Sequence, residues 1–153
     1  SSYKTVEYAL QKIMKSDLDT SIKVAALNTT MLEKGHNNNI KITWLENAIG
    51  FYPSESYQFK TLLKDYSSNL YEFRTRTSAF GALKRINHFD KAVLNTLIDA
   101  SISTNRRLAG PARGAYKYFA SQPEYEKIIK EHFATTNYDS KMYALIKSAG
   151  LIR

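Results

Sequence analysis

Apolar residues return along this chain at three- and four-residue intervals almost from end to end, the spacing that places them on one face of an α-helix. Val6, Ala9, Leu10, Ile13 and Met14 form the first such stripe. Asp17 or Asp19 can cap a second helix, on which Ile22, Ala25, Ala26 and Thr29 share a face and which Gly35 is placed to stop. Asn37-Asn38-Asn39 reads as a turn and capping cluster, followed by a third stripe of Ile42, Leu45, Ala48, Ile49 and Tyr52. Pro53-Ser54 restarts the chain into a fourth helix marked by Phe59, Leu62, Leu63 and Tyr66.

The second half repeats the device. Ser67-Ser68-Asn69 breaks the chain, and Phe73, Phe80, Leu83 and Ile86 then run along a helix of about four turns. Asp90 caps a stripe of Val93, Leu94, Leu97, Ile98 and Ile102, and Leu108, Ala112, Ala115 and Phe119 make the next, with Gly110-Pro111 near its start. Ser121-Gln122-Pro123-Glu124 has the form of a capping box ahead of Tyr125, Ile128, Ile129 and Phe133. A short helix around Met142, Leu145 and Ile146 closes the chain. No segment alternates with period two long enough for a strand, so the expected fold is all-α.

Self-similarity adds organisation. A shift of 33 residues superposes Arg74 on Arg107, Ala79 on Ala112, Gly81 on Gly114, Ala82 on Ala115 and Lys84 on Lys117. Each segment is followed by a short turn into another helix, at Asp90 and at Pro123. The unit is a helix pair, and stacked antiparallel pairs make an α-α superhelix of the HEAT/ARM kind, here about 8–9 helices in a single domain over residues 1–153. The alanines and the two glycines are expected to let neighbouring helices approach closely.

Composition narrows the chemistry. A chain of 153 residues, 43% hydrophobic and 24% charged, can build its own core. Having no cysteine, it excludes a disulfide scaffold, a thiol nucleophile and a thiolate metal site. No apolar run approaches the roughly 18 residues of a membrane span. The chain opens Ser1-Ser2-Tyr3, with no initiator methionine or signal peptide, which we read as a piece cut from something longer.

His36, His88 and His132 are the only histidines, and none has a second ligand at helical spacing, so a zinc site within this chain is not expected. Nor is there a serine-nucleophile elbow or a phosphate-binding glycine loop. Asp17 and Asp19 read as caps, and His88 as a turn residue at a helix corner. Tyr52, Tyr57, Tyr66 and Tyr125 lie on or beside apolar stripes and are expected to pack rather than stack on bases, while Trp44 reads as a wedge between layers.

Charge is unevenly placed. The net charge is +8, and residues 60–117 alone hold eleven basic and four acidic side chains. Arg74, Ser78, Gly81 and Arg85 fall on one helical face, a small-residue stripe with a guanidinium at each end, suited to receiving a neighbouring helix or an extended peptide and gripping a carboxylate.

The stretches Tyr71-Glu72-Phe73-Arg74-Thr75-Arg76, Ala82-Leu83-Lys84-Arg85-Ile86-Asn87, Leu97-Ile98-Asp99-Ala100 and Asn105-Arg106-Arg107-Leu108-Ala109-Gly110-Pro111-Ala112, with Tyr118-Phe119 and Tyr125-Glu126-Lys127 beyond them, carry a resemblance. Over about residues 55–135 the chain resembles the C-terminal helical domain of bacterial zinc aminopeptidases of the aminopeptidase N family. The resemblance implies a non-catalytic lid over the active site of a separate catalytic domain of the same polypeptide. That domain would carry the H-E-x-x-H zinc site, so zinc belongs to the parent enzyme and no cofactor to this chain. It further implies contact with the peptide substrate, for which Arg74, Arg76 and Arg107 are the candidate residues, and a periplasmic or cell-envelope location. The alternative is a free-standing basic α-solenoid that binds nucleic acid or an acidic protein through residues 60–117.

Overall fold

A computed structural model describes residues 2–32 and 38–152, apart from the side chains of 2–7, 27, 28 and 30–32. The expected stop at Gly35, His36 and the Val6 side chain lie outside the described residues. Every regular element among them is helical. The described residues form nine α-helices, α1 (Ser2–Lys15), α2 (Thr20–Leu32), α3 (Asn38–Phe51), α4 (Ser56–Ser67), α5 (Phe73–Arg85), α6 (Lys91–Ser101), α7 (Arg106–Ala120), α8 (Glu126–Thr135) and α9 (Ser140–Ser148), with single 3-10 turns at Pro53–Glu55 and Pro123–Tyr125. The helices fall into two compact units that meet in sequence between Tyr66 and Ser67.

In the first unit α1, α2 and α3 pack pairwise. Leu10 and Ala48 are buried at the centre, with Met14, Trp44, Phe51, Tyr52 and Phe59 packed around them. Trp44 meets Phe59 edge-on at 5.2 Å between ring centroids, and Tyr52 meets the same ring at 6.4 Å. Three expectations change here. Asn38 and Asn39 belong to the first turn of α3 rather than to a loop. On α2, Ile22, Ala25 and Thr29 are exposed, and Lys23, Val24 and Ala26 are the half-buried positions among the described side chains. Tyr57 is 82% exposed rather than packed. Asp19 does precede α2, its carbonyl accepting the Ile22 and Lys23 amides and its carboxylate the Ser21 hydroxyl at 2.7 Å.

In the second unit α7 packs against both α5 and α6, and α8 packs on α6, the neighbour-to-neighbour contact that stacked helix pairs require. The 33-residue repeat is physical. Glu72 and Asn105, 33 residues apart, are the N-caps of α5 and α7. Of the six buried residues of α7, Leu108, Ala109, Ala112, Ala115 and Tyr116 fall on buried residues of α5, namely Thr75, Arg76, Ala79, Ala82 and Leu83. Asp90 caps α6 as expected, its carboxylate accepting the Val93 amide at 2.9 Å.

At the far end of α5 and α7 an aromatic corner closes the unit. Phe119 stacks on Phe89 at 4.8 Å, and Tyr125 lies 4.9 Å from Phe89 and 5.8 Å from Phe119. The turn between α5 and α6 that carries Phe89 is a Schellman ending. Asn87 takes a left-handed φ of 52°, its amide bonds the Lys84 carbonyl and the His88 amide bonds that of Leu83. The Tyr125 hydroxyl donates to the Asn87 carbonyl at 2.6 Å, and the Asn87 side chain donates to Glu124 at 3.0 Å. His88 is thus a turn residue at a helix corner, 3.4 Å from Asp90.

The capping box expected at Ser121–Glu124 does not form. Ser121 donates its hydroxyl back to the Tyr118 carbonyl at 2.6 Å, Glu124 is engaged by Asn87, and the Pro123–Tyr125 turn intervenes before α8. Pro111 also departs from expectation. It is the sixth residue of α7, past the first turn, and having no N–H it denies the Arg107 carbonyl its usual donor four residues on. On α9 only Ile146 is buried, and a second Schellman ending at Gly150, with φ +80°, brings Leu151 in beside it.

The glycines do not do what the repeat suggested. A Cβ built on Gly114 would meet nothing within 4 Å, and one on Gly81 would meet only the end of the Arg85 side chain, at 3.2 Å. Close helix approach therefore rests on Ala79, Ala82, Ala112 and Ala115, all buried. Gly114→Ala is accordingly expected to stabilise the chain by about 0.5–1 kcal/mol in urea denaturation, because it removes only unfolded-state freedom from a helix interior. A loss of stability would mean that a neighbouring helix needs that space.

Candidate functional site

Glu72 opens the basic segment as an N-cap, an unusual residue for that role. Its carboxylate accepts the Thr75 amide at 2.9 Å and the Thr75 hydroxyl at 3.2 Å. Desolvation pushes its pKa up, but the amides of Arg74 and Thr75, the Thr75 hydroxyl and the Arg74 charge outweigh it, so the group stays ionised below the ordinary carboxylate value.

That cap sets the three arginines singled out from the sequence in different environments. Arg74, the second residue of α5, is exposed, its guanidinium 4.6 Å from the centroid of its neighbour Phe73 and 3.7 Å from Glu72. Arg107, second in α7, is exposed too, and its amide is capped by Asn105 at 3.0 Å. Arg76 is different. It is 6% exposed, its Nε donates to the Ser67 carbonyl at 2.9 Å and its Nη2 to Asp99 at 3.2 Å. A guanidinium spent on a helix end and an adjacent carboxylate is a tie within the fold, so Arg76 leaves the set of candidate substrate contacts, and Arg74 and Arg107 remain.

Two features escaped the sequence. Arg113 repeats the Arg76 device: its Nε donates to the carbonyl of Ser101, the last residue of α6, at 2.8 Å, as Arg76 does to Ser67, the last residue of α4. The second is a cleft of about 380 Å³ between α5 and α7, lined by Thr77, Phe80, Gly81, Lys84, Arg85, Pro111, Gly114 and Ala115. The equivalent stripes Arg74-Ser78-Gly81-Arg85 and Arg107-Pro111-Gly114-Tyr118 run beside it. The 33-residue match of Gly81 with Gly114 and the small-residue face of Arg74, Ser78, Gly81 and Arg85 were the signals, and neither by itself says that α5 and α7 touch.

His132 is a core residue, 5% exposed, with Nε2 2.6 Å from the Tyr138 hydroxyl. Burial, with the Lys91 charge adding to it, holds the imidazole below its ordinary pKa. The unfolded chain then binds the proton more tightly, so His132 leaves stability full above about pH 6.5 and lowers it as the pH falls from there through the folded pKa. Urea midpoints are expected to drop across that window, and His132→Gln is expected to flatten the slope. An unchanged slope would place the acid sensitivity elsewhere.

Among the described residues no group of three or more His, Asp or Glu side chains is placed to hold a metal ion. No helix among them is long and apolar enough to cross a membrane. Compared with protein-family models, curated proteins and solved structures, the chain matches none.

Proposed function

We propose that this chain is the non-catalytic helical domain of a zinc aminopeptidase of the aminopeptidase N family, set over the active site of a separate catalytic domain and helping to hold or limit the peptide substrate. The observation that carries the reading is the pair Arg74 and Arg107. They occupy the same position in successive repeats, inside the stretch that resembles that family, and both are open to solvent. Each lies in the first turn of its helix, where the backbone dipole adds to the guanidinium, and a planar fork of donors suits a peptide's terminal carboxylate. In the parent enzyme zinc would supply the activated water; this domain would supply position and exclusion.

Charge reversal tests the assignment. In the whole peptidase, Arg74→Glu with Arg107→Glu is expected to raise KM about tenfold for peptides with a free carboxyl end, a loss of about 1.4 kcal/mol, with kcat unchanged and amidated peptides spared. Unchanged KM for both substrate classes would contradict the role. Hydrolysis of an aminoacyl-anilide by this chain with stoichiometric zinc would contradict the domain's catalytic silence.

The excess of basic side chains over residues 60–117 favours a second reading, a free-standing α-solenoid that binds nucleic acid or an acidic protein. Salt separates the two. About six phosphate contacts would lose about three orders of magnitude in affinity between about 50 and 200 mM salt, whereas one or two arginine–carboxylate contacts show little slope.

A further inference from the structure

We infer that the cleft between α5 and α7 is a docking groove for an extended acidic segment of a partner polypeptide. The inference deepens the second reading, that of an acidic protein partner, and stands apart from the peptidase reading, because the groove and its test belong to this chain alone.

Charge comes first. Neither α5 nor α7 contains an acidic residue, while they carry Arg74, Arg76, Lys84 and Arg85, and Arg106, Arg107, Arg113 and Lys117. The neighbouring α8 is different: its lysines pair on the surface with its own glutamates, Lys130 with Glu126 at 2.6 Å and Lys127 with Glu131 at 3.9 Å. Among the described residues no acidic side chain pairs with Arg106, Arg107 or Lys117. Arg74 and Arg76 are answered by Glu72 and Asp99, and Arg106, Arg113 and Lys117 line other clefts, so the positive charge at this groove is that of Lys84 and Arg85 in its lining and of Arg107 on the α7 stripe, where a ligand of opposite sign gains most.

Shape then narrows the ligand. The lining includes Gly81, Gly114, Ala115 and Pro111, and a Cβ at Gly114 would meet nothing within 4 Å, so a ligand backbone can approach α7 closely there. Lys84 and Arg85 stand in the α5 wall. Arg74 and Arg107 sit seven residues before Gly81 and Gly114 on the same stripes, about 10 Å along each helix. Carboxylates spaced along an extended chain can meet cations at that separation. Nucleobases find a poorer match: Tyr118, the aromatic on this stripe, is already covered by Lys84 at 5.2 Å from its ring centroid.

The probe is a fluorescein-labelled twelve-residue peptide of alternating glutamate and glycine, titrated with the full chain and followed by anisotropy, with the glutamine analogue and a single-stranded oligouridylate of equal length as comparators. The acidic peptide is expected to bind at least about tenfold more tightly than either comparator. Backbone amide shifts are expected to concentrate in residues 77–85 and 107–118. Gly114→Leu, whose Cβ would meet nothing within 4 Å, and Arg107→Glu are each expected to weaken binding about tenfold or more while far-ultraviolet circular dichroism stays unchanged. Peptide binding indifferent to Gly114→Leu would mean a diffuse cationic surface and overturn the groove. Tighter binding of the oligouridylate would overturn the choice of ligand.

Discussion

Phe119→Ala is expected to cost about 3–5 kcal/mol, a large share of the roughly 5–15 kcal/mol that holds a domain of this size together. Phe119 is fully buried and is the central ring of the corner, stacked on Phe89 and edge-on to Tyr125. Truncation would leave a cavity facing both partners. It would also loosen the Tyr125 hydroxyl's hold on the Asn87 carbonyl, and with it the turn between α5 and α6. Urea denaturation followed by far-ultraviolet circular dichroism measures the loss. Tyr118→Ala, one residue earlier and only half-buried, is expected to cost distinctly less. Equal losses at the two positions would mean that the corner is not the centre of the unit's packing.

Arg76→Met is expected to cost about 2–3 kcal/mol, because it removes a buried charged donor from the Ser67 carbonyl and from Asp99. Arg76→Lys is expected to recover little of this, since an ammonium cannot meet both acceptors with the fork geometry of a guanidinium. Asp99→Asn, at the solvated end of the same contact, is expected to cost about 1 kcal/mol or less. The ranking is the test. If Asp99→Asn proves as costly as Arg76→Met, the ion pair rather than the helix-end carbonyl carries the interaction.

Arg76 also marks the boundary of what the sequence could reveal. Helical periodicity located the helices because apolar stripes need only local spacing, and it did so well where the stripe is strong, as on α6 from Val93 to Ile98. The register of the repeat was legible too, since Ala79 and Ala112 face equivalent packing. An arginine buried against another helix's last carbonyl carries no local sign of it, because the carbonyl belongs to the end of α4, nine residues back. Glu72 is outside the usual capping residues and was invisible as a cap, whereas Asp90 was plain. The Ser121–Glu124 pattern misled for the opposite reason: a distant residue, Asn87, claims the glutamate the box would need. On α2 the apolar positions are frequent enough for more than one face to look like a stripe, and the exposed Ile22 shows that the chosen one was not the packed one. The groove between α5 and α7 is a tertiary contact of two equivalent helices, so sequence could supply its residues but not their juxtaposition.

The central functional claim is that these helices serve a peptidase whose chemistry lies elsewhere in the same polypeptide. It is tested most directly by determining the coding sequence immediately upstream of Ser1. The account predicts an open frame encoding a catalytic domain with H-E-x-x-H and a further glutamate ligand downstream of it. An initiator methionine standing directly before Ser1 would contradict the account.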